Sequence, residues 1–144
     1  MPRKLVATAT ITIDASPAEV WRALTDPELV ARYMFGTELT TDWEVGSPVV
    51  YRGEWEGKPY EDKGIVLEFR PNELLETSHF SPLTGAEDIP ENYHTVTYRL
   101  EELAPGGTLV TLTQDNNDTP EAAEHSQANW EMALAGLKSV VEET

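Results

Sequence analysis

Two helix starts stand ten residues apart in ASPAEVWRALTDPEL, residues 15–29. Ser16 is a natural N-cap, Pro17 suits the first helical position, and Glu19 completes a Ser-x-x-Glu capping box. Asp26 and the proline that follows it repeat this cap-then-proline signal. A first short helix must therefore end just before Asp26, and a second short helix begins at once.

The predicted helix pair lies between one strand and a long series of strands. Residues 5–13 alternate between an apolar face and a Thr-rich face, which is the period-two pattern of a half-buried strand. Ser81–Glu91 holds two prolines, a glycine and three acids, and this composition predicts an exposed loop. Further strands, separated by turn signals, are predicted at Thr37–Thr41, Pro48–Trp55, Tyr60–Phe69, Leu74–Phe80, Tyr93–Leu100 and Thr108–Gln114.

The clearest predicted helix is the last element of the chain. Asp118 or Thr119 is predicted to cap it, and Pro120 falls in its first turn. Apolar side chains at three- and four-residue spacing predict one buried stripe, formed by Trp130, Leu134, Leu137 and Val141 with Ala133 and Val140 beside it. About seven strands, two short helices and one long helix predict an α+β fold, and the 144 residues suit one domain.

Composition excludes several classes of site and partner. The chain has no cysteine, so disulfides, thiolate metal sites and cysteine nucleophiles are ruled out. Its 26 acidic and 10 basic residues give a formal charge of -16, which disfavours binding to nucleic acid or to anionic membranes. Neither a signal peptide nor a stretch of membrane-spanning length is visible, and a cytoplasmic location is predicted.

Three segments resemble the motifs of a known family. They are ASPAEVW with LTDPE in residues 15–28, the GIVLE strand at residues 64–68, and the terminal pattern of Trp130, Leu134 and Leu137. In these segments the chain resembles the AHSA1-like (activator of Hsp90 ATPase homologue 1-like) branch of the START-like, or SRPBCC, superfamily. The resemblance spans essentially the whole chain. It implies a helix-grip fold, in which a curved antiparallel sheet wraps around a long C-terminal helix and two short helices follow strand one.

The resemblance implies a cavity between the sheet and the terminal helix, and three functional hypotheses follow. The leading hypothesis is a binding module for a small apolar or aromatic molecule. The second is a chaperone-associated interaction module, with a chaperone or a second copy of the chain as partner. The third is a small cyclase- or hydrolase-type enzyme that uses His79 as acid or base. No cofactor or metal is predicted, and no residue is assigned a catalytic role in the leading hypothesis.

The cavity lining is predicted from residues with large side chains on the elements that the resemblance places around it. Tyr51, Trp55 and Tyr98 are the strongest candidates, because a strand aromatic with a polar atom can both pack and hydrogen-bond a ligand. The candidate ligand-binding residues are Tyr33, Phe35, Tyr51, Trp55, His79, Tyr98, Trp130 and Leu134. Trp21 and Trp130 are more simply explained as core residues. Family members commonly have a tryptophan where this chain has residues 33–35, and an aromatic residue where it has His79.

Two other polar groups of the sequence have simpler explanations than a metal site. The spacing of the three histidines does not predict zinc, and His125 is expected to face solvent. His79 alternates with Leu75 and Thr77, and a buried imidazole bonded to a hydroxyl group is the commoner explanation for it. The acidic and amide side chains of residues 115–118 lack the calcium-loop spacing, so helix capping is expected there.

Overall fold

The computed structural model describes residues 5–34, 36–55, 57–81, 87–104, 106–117 and 119–142. Its strands are β1 (Leu5–Ile13), β2 (Glu38–Thr40), β3 (Pro48–Trp55), β4 (Lys58–Arg70), β5 (Leu74–His79), β6 (His94–Leu103) and β7 (Gly107–Asn117). Its helices are α1 (Pro17–Thr25), α2 (Pro27–Tyr33) and α3 (Pro120–Glu142), and Pro90–Asn92 forms a single 3-10 turn. The predicted element order is confirmed.

The described strands form one antiparallel sheet in the order β1-β7-β6-β5-β4-β3-β2. The first strand therefore pairs with the last, and the remaining strands follow as a meander to the opposite edge. The long helix α3 packs across the sheet, mainly against β1, and α2 and α1 contact it from one side. This arrangement is the predicted helix-grip fold.

The capping signals at the helix pair operate as predicted. The Ser16 side chain accepts a hydrogen bond from the backbone N–H of Glu19 at 3.3 Å, and Asp26 accepts one from the N–H of Glu28 at 2.9 Å. The backbone N–H of Asp26 also donates to the Arg22 carbonyl at 2.8 Å, so the residue that ends α1 begins α2. Caps of this kind each stabilise a helix by about 1 kcal/mol.

The apolar face of α3 has the predicted composition, and its N-terminus is fixed by a side chain. Leu134, Leu137 and Val141 are buried, as the stripe requires, and the neighbouring Val140 is buried with them. At the other end, the Thr119 hydroxyl oxygen accepts a hydrogen bond from the Ala122 N–H at 3.0 Å. Asp118, the alternative cap, lies outside the described residues.

Two hydrophobic clusters lie between the sheet and the helices. The larger one, called the main core, joins α1 and α3 to β1, β5, β6 and β7, with Ile13, Val20, Leu112 and Leu134 among its buried members. The smaller one, called the arm core, lies under α2, β2, β3 and β4 and contains Val30, Leu39, Val49 and Val66. Tyr33 and Phe69 pack against both clusters. Both clusters lie on the inner face of the sheet, meaning the face toward α3.

A glycine sets the distance between α2 and α3. A Cβ atom added at Gly136 would stand 3.1 Å from Tyr33 Cβ and 3.3 Å from the Tyr33 carbonyl oxygen. The absence of a side chain in the middle of α3 lets the C-terminal end of α2 rest directly on the helix backbone. Among the described helices, none is long and apolar enough to span a membrane.

Candidate functional site

The structure brings six of the eight predicted cavity residues to the interior between the sheet and the helices. Tyr51 packs on the arm core, Tyr98 and Trp130 pack on the main core, and Tyr33 contacts both. Leu134 is fully buried within the main core. His79 lies near Trp130, as described below. Phe35 and the Trp55 side chain lie outside the described residues.

His79 contacts a carboxylate, which sequence analysis did not include among the site residues. Its Nε2 atom lies 3.3 Å from Asp62 Oδ2, and the two side chains are 21% and 20% exposed. The expectation of a hydroxyl partner for His79 is therefore wrong. The signal that could have found Asp62 is the β3–β4 hairpin register, because Asp62 pairs directly opposite Tyr51 and so shares its face of the sheet.

One buried polar atom on each side chain of this pair has no hydrogen-bond partner among the described residues. These atoms are Asp62 Oδ1 and His79 Nδ1. Leaving a buried polar group unpaired costs about 1–3 kcal/mol, and more when the group is charged. The fold therefore maintains two unsatisfied polar atoms on two side chains that contact each other.

A glycine in β4 allows the two strands that carry this pair to come together. A Cβ atom added at Gly64 would lie 1.7 Å from the Ser78 carbonyl oxygen, well inside contact distance. The Ser78 hydroxyl oxygen also accepts a hydrogen bond from the Ile65 N–H at 2.9 Å. Because Asp62 is two residues before Gly64 and His79 is next to Ser78, this close approach positions the pair.

Aromatic rings surround the imidazole of His79. The ring centroid of Trp130 lies 6.4 Å from that of His79 and 6.4 Å from that of Tyr98, in edge-to-face arrangements. The His94 ring, on the neighbouring strand, is 6.5 Å from His79. A polar pair thus lies among rings that offer flat, polarisable contact surfaces.

The tyrosines of the inner face are held in their neutral form. Burial raises the pKa of Tyr51 to about 12, and the negative charge of Asp62 adds to this shift. Burial also raises the pKa of Tyr98 and of Tyr33, with a further contribution from neighbouring tyrosines. The surroundings of the pair are therefore poorly solvated, although each phenol keeps a hydroxyl group that can donate or accept a hydrogen bond.

A second polar group on the inner face is fully paired, and we call it the Gln114 network. Gln114 Oε1 accepts a hydrogen bond from Trp130 Nε1, and Gln114 Nε2 lies 3.4 Å from the Ser126 hydroxyl oxygen. Ser126 donates to Asn117 Oδ1 at 3.0 Å, while Asn117 Nδ2 donates to the carbonyl oxygens of Leu5 at 2.9 Å and Gln114 at 3.0 Å. The network joins α3, β7 and β1.

The polar side chains of residues 115–117 bond neighbouring strands and loops rather than cap a helix. Asp115 accepts a hydrogen bond from the Thr95 N–H at 2.6 Å, and Asn116 donates to the carbonyl oxygens of Glu91 and Tyr93. Asn116 has a φ of 62°, a left-handed conformation that asparagine tolerates well. The predicted capping role therefore belongs, among the described residues, to Thr119 alone. His125 is exposed, as predicted.

A separate groove lies on the helical side of the molecule. It has a volume of about 270 Å³ and is lined by Glu19, Arg22, Ala23, Leu29, Val140 and Val141. None of the cavity residues that the structure describes contributes to this groove. The Asp62–His79 pair and its aromatic surroundings are thus a different place in the fold.

Comparison with known proteins gives matches of two kinds. The family described as "Activator of Hsp90 ATPase homolog 1-like protein" matches residues 14–142. The solution structure of ChR145 from Cytophaga hutchinsonii is 50% identical in sequence, with a TM-score of 0.85, and the alignment covers 99% of this chain and 97% of ChR145. No protein of curated function matches the chain.

More distant structures have the same fold. CalU16 from Micromonospora echinospora is 26% identical, with a TM-score of 0.71, over 92% of this chain and 73% of CalU16. The Aha1 dimer from Colwellia psychrerythraea is 23% identical, with a TM-score of 0.74, over 96% of each chain. The fold is therefore shared at sequence identities of 26% and 23%.

Proposed function

This chain belongs to the family of activator of Hsp90 ATPase homolog 1-like proteins, and we propose that it binds a small, largely apolar or aromatic molecule between the inner face of its sheet and α3. One observation carries this proposal. The unpaired atoms of Asp62 and His79 lie among the rings of Trp130, Tyr98 and Tyr51, where a ligand could both stack and form hydrogen bonds.

The Gln114 network supports this interpretation by contrast. Trp130 lies beside both polar groups, yet only the Asp62–His79 pair keeps unpaired buried side-chain atoms among the described residues. The chain pairs the buried polar atoms of one cluster completely, so stability alone gives no reason for the other cluster to keep unpaired atoms. Binding of a ligand gives the open pair a role that stability alone does not.

A thermal-shift screen of the purified protein against lipids, aromatic compounds and polyketide-like compounds tests the proposal. A molecule that binds only the folded state stabilises it by about 2.7 kcal/mol at a hundredfold excess over Kd, so its midpoint shift is measurable and saturable. We expect His79→Ala and Tyr98→Ala to abolish the shift. His125→Ala is the matched control, because His125 is exposed on α3 and should leave the shift unchanged.

Failure of every compound class to move the midpoint would contradict the proposal. That outcome would favour the chaperone-associated hypothesis, which a pull-down with the purified protein as bait then addresses. A shift that His125→Ala abolishes and His79→Ala does not would place the bound molecule elsewhere on the protein.

A catalytic role for His79 is the second candidate function, and the Asp62 contact is the observation that favours it. A carboxylate that holds one imidazole nitrogen orients the ring for acid–base work at the other nitrogen. The test is mass spectrometry of a bound compound after long incubation with the protein. Conversion that persists in His79→Ala would remove His79 from the reaction.

A further inference from the structure

We propose that the Asp62–His79 pair selects ligands that bring hydrogen-bond donors, meaning phenols, alcohols or amines attached to an apolar ring. The inference rests on the proposed function and specifies its ligand class. It follows from the positions of the unpaired atoms, Asp62 Oδ1 and His79 Nδ1, and from the protons that each group can hold.

The contact between the two side chains fixes where the imidazole proton sits. An ionised carboxylate only accepts hydrogen bonds, so Nε2 of His79 must donate to Asp62 Oδ2. In the neutral ring the other nitrogen, Nδ1, then carries a lone pair and no proton. Both unpaired atoms are therefore acceptors, and a ligand satisfies them only by donating.

A neighbouring histidine adds a third acceptor to the same area. His94 Nδ1 lies 2.7 Å from the Asp115 carbonyl oxygen, and a carbonyl can only accept, so Nδ1 carries the proton. Nε2 of the neutral His94 ring is then an acceptor as well. His94 pairs directly with His79 across β5 and β6, and the two ring centroids are 6.5 Å apart, so this third acceptor belongs to the same region of the sheet.

Electrostatic repulsion also disfavours acidic ligands at this pair. Asp62 contributes a negative charge at the edge of the core, and the whole chain carries a formal charge of -16. An anionic ligand would meet repulsion there and would bring no donor to the unpaired atoms. The tyrosine hydroxyls of Tyr51 and Tyr98 can serve either type of ligand, so they do not alter this preference.

Matched probes that differ only in their polar group test the selection. We would measure the affinity of the wild-type protein by calorimetry for 2-naphthol, 2-naphthylamine, 2-methoxynaphthalene and 2-naphthoate, and for the corresponding single-ring compounds. We expect the phenol and the amine to bind at least about tenfold more tightly than the ether and the carboxylate. A site that accepts a hydrogen bond from a hydroxyl group discriminates against analogues that lack this donor.

Asp62→Asn should reduce or reverse this preference, because the amide nitrogen replaces an acceptor with a donor at constant size. Glu61→Gln is the matched control: it makes the same chemical change one residue away, at an exposed side chain, and should keep the wild-type preference. The unfolding midpoint of each variant, measured without probe, establishes that both are folded.

The outcomes separate this inference from the function on which it rests. Equal affinity for the phenol and its methyl ether would overturn the donor selection and leave ligand binding in place. Binding of none of the probes would count against both. Without any probe, long-range ¹H–¹⁵N correlation spectra report which nitrogens of His79 carry a proton, and a ring protonated at Nδ1, whether neutral or cationic, would also overturn the inference.

Discussion

Two polar groups lie on the inner face of the sheet, and they differ in one respect. The Gln114 network pairs its side-chain atoms across α3, β7 and β1, whereas the Asp62–His79 pair leaves Asp62 Oδ1 and His79 Nδ1 unpaired within the described residues. Both groups are close to the indole of Trp130. Under the proposed function this difference is a division of roles, in which one group holds the fold together and the other contacts a bound molecule.

The largest expected effect comes from breaking the paired group. Gln114→Leu removes the acceptor of Trp130 Nε1 and a partner of Ser126, and we expect it to lower the free energy of unfolding by about 2–5 kcal/mol, because each buried group left unpaired costs about 1–3 kcal/mol. Urea unfolding measures the loss. Gln127→Leu is the matched control on exposed α3 surface and should change stability by less than about 0.5 kcal/mol.

A second prediction concerns alkaline pH and the phenols beside the open pair. The pKa of Tyr51 is about 12 in the folded protein, above its usual 10.0, so the folded state holds this proton more tightly than the unfolded state does. Its contribution to stability is complete below pH 10 and is lost as the pH rises through about 12, which amounts to about 3 kcal/mol. The raised pKa of Tyr98 acts in the same direction.

Urea midpoints measured from about pH 9 to about pH 12 test this prediction, because this range covers the rise of the Tyr51 pKa from its usual value. Tyr51→Phe should flatten the alkaline decline, whereas His125→Ala, at an exposed residue of α3, should leave it unchanged. An equally steep decline in Tyr51→Phe would show that the buried phenol does not govern it.

The open pair itself should contribute little to stability. Replacing both members with leucine, as Asp62→Leu with His79→Leu, removes the two unpaired atoms together with their contact. We expect the free energy of unfolding to stay unchanged or to rise by about 1–2 kcal/mol, since apolar replacements of buried ion pairs are often neutral or stabilising. A loss larger than that of Gln114→Leu would contradict the division of roles.

The smallest effect is expected at a polar contact on the opposite, exposed face. Arg52 Nε lies 2.7 Å from Glu61 Oε1, and both side chains are about half exposed. Glu61→Gln should lower stability by less than about 0.5 kcal/mol, and added salt should erase even this difference. Unfolding at two ionic strengths provides the measurement, and it sets the baseline against which the two inner-face groups are compared.

The sequence predicts the fold well because its strongest signals are local. Ser16, Asp26 and their following prolines fix the helix pair through bonds that reach only two or three residues along the chain. The stripe of α3 and the alternation of β1 likewise depend on spacing alone. The ends of the elements are predicted less accurately. Strand β7, predicted to end at Gln114, extends to Asn117, and the Asn117 side chain donates a hydrogen bond to the Leu5 carbonyl of β1.

The candidate site is predicted only in part, because its polar half depends on contacts between strands. His79 was found from alternation within β5, but its partner Asp62 is seventeen residues away and reaches it only where Gly64 lets the strands approach. Trp43, which packs against both hydrophobic clusters, is not among the residues predicted from the sequence, for another reason. Its φ of 58° is rare for a large residue, and this conformation stacks its ring on Phe69 and lets Nε1 donate to the Thr25 carbonyl.

The pairing of the first strand with the last has a consequence for how the protein is made. Leu5 pairs with Asn117, and near the C-terminus Lys138 donates to the Thr12 carbonyl while Glu142 accepts from the Asp14 N–H. During synthesis β1 therefore has no strand partner until β7 has left the ribosome. Such long-range contacts slow folding, and in the interval an unpaired strand edge is open to aggregation. The acidic character of the chain would help to keep nascent copies apart until β7 and α3 close the sheet.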